Sequence, residues 1–196
     1  MRSKQIRRVS NATASTQLAS SLIGLLILFC SALPLHAEIY LTEEQAVKIA
    51  IPNAVSVDVE TKQLTPAQRD SLQRASRLRF PEPQYRFFVG RNKDGSVAGY
   101  ALIMNEVGKE EFITFIVGIT PKRETGEVVV MEYRETRGGE VREKRFLRQF
   151  RGKKTTDPIQ VNNDIENYTG ATLSSHAIAA GVKKALLLTD TFYLHP

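Results

Sequence analysis

The chain has 196 residues, a formal net charge of +6, three histidines and a single cysteine, which length and composition fit to one domain. Cys30 alone leaves no disulfide, no Cys-x-x-Cys-His haem attachment and no thiolate metal site, and the histidines do not make a usual zinc site. Residues 1–37 hold Arg2, Lys4, Arg7 and Arg8 and no acid, so the remainder is near charge balance and lacks the clustered surplus that nucleic-acid binding needs.

In chain order, that basic start runs into an apolar stretch, Leu18 to Ala37. A positive start, an apolar middle and a small residue at the end describe an export signal, cleaved after Ala37. The stretch is also nearly long enough to be retained as a membrane anchor; cleavage is the favoured of the two readings. Phe29 before Cys30 argues against a lipoprotein. Residues 1–37 are therefore an export signal or anchor. Residues 38–196 form one extracytoplasmic domain, in the periplasm or at the outer face of the inner membrane.

"LTEEQAVKIAIP" predicts a helix capped by Thr42, with Gln45 closing the capping box and Pro52 limiting its length. "AVSVDVETKQL" alternates and reads as a short strand. "LTPAQRDSLQRASRLRF" repeats the capping device with Thr65, Pro66 and Gln68, and Leu72, Ala75 and Leu78 or Arg79 predict an amphipathic helix. "YRFFVG" and "SVAGYALIM" flank Asp94-Gly95, a hairpin signal, and "EFITFIVGI" and "GEVVVMEY" add two strands. Their β-branched and aromatic residues suit a pleated surface with one buried face.

"VREKRFLRQF" predicts a helix ending at Gly152, on Phe146, Leu147 and Phe150. The basic residues from Arg142 to Lys154 read as its solvated face. "DPIQV" reads as one more short strand. The last helix is predicted over about Leu173 to Leu188. Ile178, Val182, Ala185 and Leu186 form its buried stripe, and Lys183 and Lys184 face water. This order gives an α+β domain, a mostly antiparallel sheet flanked by helices. A doubly wound dinucleotide fold is disfavoured, because strands and crossover helices do not alternate and Gly-x-Gly-x-x-Gly is missing. "RGKKTT" lacks the first glycine of a P-loop.

The turn before the last helix, Tyr168-Thr169-Gly170-Ala171-Thr172, has two readings. In one, Thr172 or Ser174 caps the helix and Gly170 permits a positive φ. In the other, the free N–H groups and partial positive charge of a helix start hold a phosphate. Ser174 and Ser175 then add hydroxyl donors, and Thr172 carries the phosphate covalently.

The segment Glu166-Asn167-Tyr168-Thr169-Gly170-Ala171-Thr172 resembles a motif, Asp-x-x-Ser/Thr-Gly-Ala-Thr, of a known family. The family is the FMN-binding domain of the C subunit of sodium-translocating NADH:quinone reductase and of the G subunit of the Rnf complex. The resemblance extends to Gly99-Tyr100, to Glu106-Val107-Gly108-Lys109 and to Glu135-Thr136, and covers about Leu41 to Leu188. Arg137-Gly138-Gly139-Glu140 replaces the family's Pro-Gly-Leu-Gly. The resemblance implies FMN linked through its phosphate to Thr172 by a flavin transferase that uses FAD and reads Glu166 in place of the motif's Asp. It also implies that Thr169, Gly170, Ala171, Ser174, Ser175, Glu135 and Thr136 surround the cofactor. It further implies an electron carrier rather than a stand-alone enzyme, with membrane redox proteins bearing haem or iron–sulfur centres as partners. A binding or sensory module of the same fold without covalent flavin is the alternative. Glu106 and Lys109 are read either as a surface ion pair or as flavin-side groups, and Glu135 and Thr136 also as a plain strand end. His176 is read as exposed polar filler.

Overall fold

The computed structural model describes residues 38–194. The segment 1–37, with its export-signal or anchor reading and Cys30, and His195 lie outside the described residues.

Six strands form one antiparallel sheet: β1 (Glu38–Ile39), β2 (Ser56–Gln63), β3 (Gln84–Arg91), β4 (Val97–Val107), β5 (Phe112–Ile119) and β6 (Thr125–Tyr133). Their spatial order is β1-β6-β5-β4-β3-β2, so β2 to β6 make a meander and the short β1 closes onto β6. Helix α1 (Glu43–Ala50) and helix α2 (Pro66–Ser76) both start with the predicted capping boxes, Thr42 with Gln45 and Thr65 with Gln68. Both signals are local, three residues apart, and tertiary context does not override them.

The sheet is covered on both faces rather than one. Phe87, Val89, Leu102, Met104, Phe115, Val117, Val128 and Val130 point to the larger core, under the long helix α4 (Thr172–Thr189). Their strand neighbours Phe88, Ala101, Ile116 and Met131 point the other way, onto Ala46, Val47 and Ala50 of α1. Alternation along a strand sends successive side chains to opposite faces. Burying both turns the central strands into continuous apolar runs, as in "FITFIVGI".

Three further expectations are corrected. Residues 139–150 do not form one helix. A 3-10 turn (Gly139–Arg142), a one-turn helix α3 (Lys144–Leu147) and a second 3-10 turn (Arg148–Phe150) follow one another, broken where Glu143 is extended (φ −65, ψ 137). Phe146, Leu147 and Phe150 are buried as predicted.

"DPIQV" is not a strand. The Asp164 carboxylate accepts the N–H groups of Ile159 (3.2 Å) and Gln160 (2.8 Å), which a ladder would need, and Ile159 has φ 50. Along α2, Leu72 packs on the core but Ala75 is exposed, because the helix ends at Ser76 with Arg77 left-handed and only grazes the sheet.

Helix α4 also departs from expectation. Lys184 is 8 % exposed, and its Nζ stands 2.7 Å from both carboxylate oxygens of Glu106 on β4. Lys183 is half-buried and donates to the carbonyls of Thr155 and Asp157. Neither faces open water. Glu106 is therefore committed to Lys184 and not to Lys109, which pairs with Glu110 instead. Burial pushes the Glu106 carboxyl above its ordinary value, and Lys184 opposes that rise.

Candidate functional site

The start of α4 lies beside the ends of β4 and β6. Tyr168 anchors the turn before it, its ring edge-on to Phe146 at 5.6 Å, and Phe146 meets Phe150 in the same way. The Ala171 N–H bonds the Tyr168 carbonyl at 2.9 Å, and Gly170 takes φ +88, a region that side chains with a Cβ rarely adopt. Ala171, not Thr172 or Ser174, is the N-cap, and no side chain caps the helix. Both hydroxyls are engaged elsewhere. Thr172 Oγ1 accepts from Asn167 Nδ2 at 3.0 Å, and Ser174 Oγ lies 3.0 Å from the Tyr133 hydroxyl.

Tyr133 decides which way that last bond runs. Its hydroxyl donates to the Arg137 carbonyl at 2.6 Å. A phenol has one proton, so Ser174 is the donor to Tyr133. The Ser174 hydroxyl proton is thus committed to the fold, and Ser174 offers the neighbouring space only its backbone N–H. Ser175 is fully buried with its hydroxyl unpartnered, and it stands apart from the cleft described next.

With no capping side chain, the N–H groups at the start of this 18-residue helix lack intrahelical acceptors, and the helix dipole adds partial positive charge there. They border a cleft of about 600 Å³ lined by Lys109, Glu110, Glu135, Thr136, Arg137 and residues 170–174. Of the nine residues that the sequence reading assigned to cofactor or transferase, six line this cleft: Glu135, Thr136, Gly170, Ala171, Thr172 and Ser174. Thr169 is exposed beside it, Ser175 is buried behind it, and Glu166 lies on the adjoining loop.

Glu135 shapes one wall. Its Oε1 accepts the backbone N–H groups of Lys109, Glu110 (2.7 Å) and Glu111 (3.1 Å), tying the β4–β5 turn to the end of β6. Partial burial would raise its pKa, but those three amides and the Lys109 charge hold it below the ordinary glutamate value. This carboxylate therefore stays charged and braces the wall.

Asp164, two residues before Glu166, is not a spare motif carboxylate. Lys153 Nζ holds it at 2.8 Å, together with the amides of Ile159 and Gln160. Against a partial burial that pushes its pKa up, these contacts keep it depressed. Glu166 is exposed, and only its backbone is held, by the Gln149 side chain. It borders a shallow depression lined by Gln149 and residues 162–167. His176 is exposed and does not line the cleft.

Asn167, Tyr133 and Arg137 were missed in the sequence. Tyr133 ends an apolar strand and reads as core, and Asn167 and Arg137 occupy positions that the motifs leave open or replace. Only the spatial arrangement selects them.

An antiparallel sheet, a helix start without a side-chain cap and an adjoining cleft make an arrangement chemically able to take an anionic, phosphorylated ligand. Residues 108–187 match the family model described as FMN-binding domain, and that match supports FMN as a cofactor. No curated protein matches the chain significantly.

Proposed function

We propose that this protein is an extracytoplasmic electron carrier holding FMN covalently, through a phosphoester to Thr172. One observation carries the reading: an exposed threonine hydroxyl at the first position of a helix without a side-chain cap, on the wall of a cleft of about 600 Å³. The backbone N–H groups of residues 172–174 would offset the phosphate charge. Glu135 would keep the β4–β5 turn in place as the opposite wall, and Thr136 and Arg137 would flank the ring system. FMN supplies the one- and two-electron chemistry; the protein supplies attachment, orientation and electrostatics.

A covalent link suits a compartment where free FMN is scarce, and the basic-then-apolar segment 1–37 supports export. Among the described residues no helix is long and apolar enough to cross a membrane. The partners in this reading are a flavin transferase, which would meet the exposed Glu166 and its depression, and membrane proteins bearing haem or iron–sulfur centres.

The test is the intact mass of the chain expressed with a flavin transferase. The wild type is expected to gain one FMN less one water, and Thr172→Ala to gain nothing. Equal gain on both proteins, or none on the wild type, would refute attachment at Thr172. Glu166, where the motif has Asp, favours a second reading: a binding or sensory module of the same fold without covalent flavin. Flavin colour that stays in the supernatant after acid precipitation would support that second reading.

A further inference from the structure

We propose that Asn167 is a positioning residue for the acceptor hydroxyl, its side-chain amide holding Thr172 in the rotamer that attacks a flavin dinucleotide. This rests on the covalent reading above. Asn167 Nδ2 donates to Thr172 Oγ1 at 3.0 Å, across the turn in which Ala171 N–H bonds the Tyr168 carbonyl. The side chain thereby closes the loop onto the helix start and selects one of the three staggered positions open to a threonine.

A hydroxyl has one proton and two lone pairs. The amide occupies one lone pair, so the proton and the other lone pair stay on the exposed side. Among the described residues nothing else bonds that hydroxyl, so it is oriented but not masked. The far end of the same amide is different: Asn167 Oδ1 is buried without a partner. With that acceptor unpartnered, the bond to Thr172 is the side-chain hydrogen bond that orients this amide among the described residues. The position lies between the fixed residues of the motif, so the device belongs to this chain's own sequence.

The step balances without any change of oxidation state. Thr172 Oγ1 bonds the FMN-side phosphorus of FAD while the bond from that phosphorus to the bridging oxygen breaks. AMP leaves with that oxygen and the electron pair. The hydroxyl proton passes to a base of the transferase, since no carboxylate or imidazole contacts Thr172 Oγ1 among the described residues.

The experiment follows initial rates of mass gain on the whole chain with a flavin transferase and FAD, over a range of chain concentrations. Asn167→Ala is expected to lower kcat on the order of ten- to a hundredfold, the penalty for a misplaced reacting group. KM for the chain should stay near the wild-type value. Asn167→Asp, which keeps the size and removes the donor, should lose rate likewise. In parallel, three-bond couplings to the Thr172 γ-methyl should report one rotamer in the wild type and averaging in Asn167→Ala. Unchanged kcat or unchanged couplings overturn the proposal, and a raised KM at constant kcat reassigns Asn167 to transferase docking and overturns it too. A wild-type chain that takes up no mass overturns both readings, whereas normal wild-type uptake with Asn167→Ala unaffected overturns this one alone.

Discussion

Lys184→Met is expected to lower the unfolding free energy by about 3–5 kcal/mol near neutral pH, the usual consequence of removing one partner of a buried ion pair. The side chains of Lys184 and Glu106 are only 10 % and 14 % exposed, and the ammonium meets both carboxylate oxygens at 2.7 Å. Methionine fills the space but leaves Glu106 charged among apolar neighbours.

The pH dependence of this loss has a definite sign. Burial already raises the folded pKa of Glu106 above its ordinary value, so its contribution to stability is full below that value and falls as pH rises through the folded one. Without Lys184 the folded pKa climbs further. The deficit of the variant should then be largest above that higher value and shrink toward acid, where Glu106 is protonated in both proteins. Denaturant unfolding at about pH 7.5 and about pH 4 measures it, the two lying above and below the ordinary glutamate value. A double variant with Glu106→Gln should recover much of the loss, because no buried charge remains. An equal deficit at both pH values would show that lost packing, not an unpaired carboxylate, is responsible.

That ion pair also shows where the sequence stops being legible. The period of the last helix is readable because Ile178, Val182, Ala185 and Leu186 recur at helical spacing, and all four are buried. Which of two adjacent lysines turns inward is not readable, since the answer depends on a carboxylate 78 positions away. The capping boxes of α1 and α2 are local and follow the sequence. The hydroxyls at the start of α4 look equally suited to capping, but Asn167 and Tyr133 recruit them from outside the helix. "DPIQV" has the composition of a strand, yet a single carboxylate, Asp164, draws its amides aside. At the site, the motif residues and Glu135-Thr136 were legible through resemblance. The brace that joins them, Tyr133 to Arg137 and Ser174, is a three-dimensional fact with no fixed spacing.

Gly138→Ala should therefore damage the cleft from a position that carries no functional group. Gly138 takes φ +82, and a Cβ there would stand 2.9 Å from the Tyr133 hydroxyl, 3.1 Å from Ser174 Oγ and 3.3 Å from Ala171 Cα. The left-handed backbone alone costs about 1–2 kcal/mol with a side chain present. Crowding against a packed neighbour adds roughly 1–3 kcal/mol. Gly152 separates the two contributions, having φ +78 but nothing within 4 Å of an added carbon. Gly152→Ala should show the backbone cost only, at roughly 2–4 °C in melting temperature per kcal/mol. Gly138→Ala should melt lower still. Because the same carbon presses on Tyr133, Ser174 and Ala171 at the cleft wall, it should also reduce the fraction of chain carrying flavin, which Gly152→Ala should leave unchanged. Equal melting temperatures for the two variants would mean that the loop after β6 moves freely off α4, and that the tyrosine brace does not define the cleft.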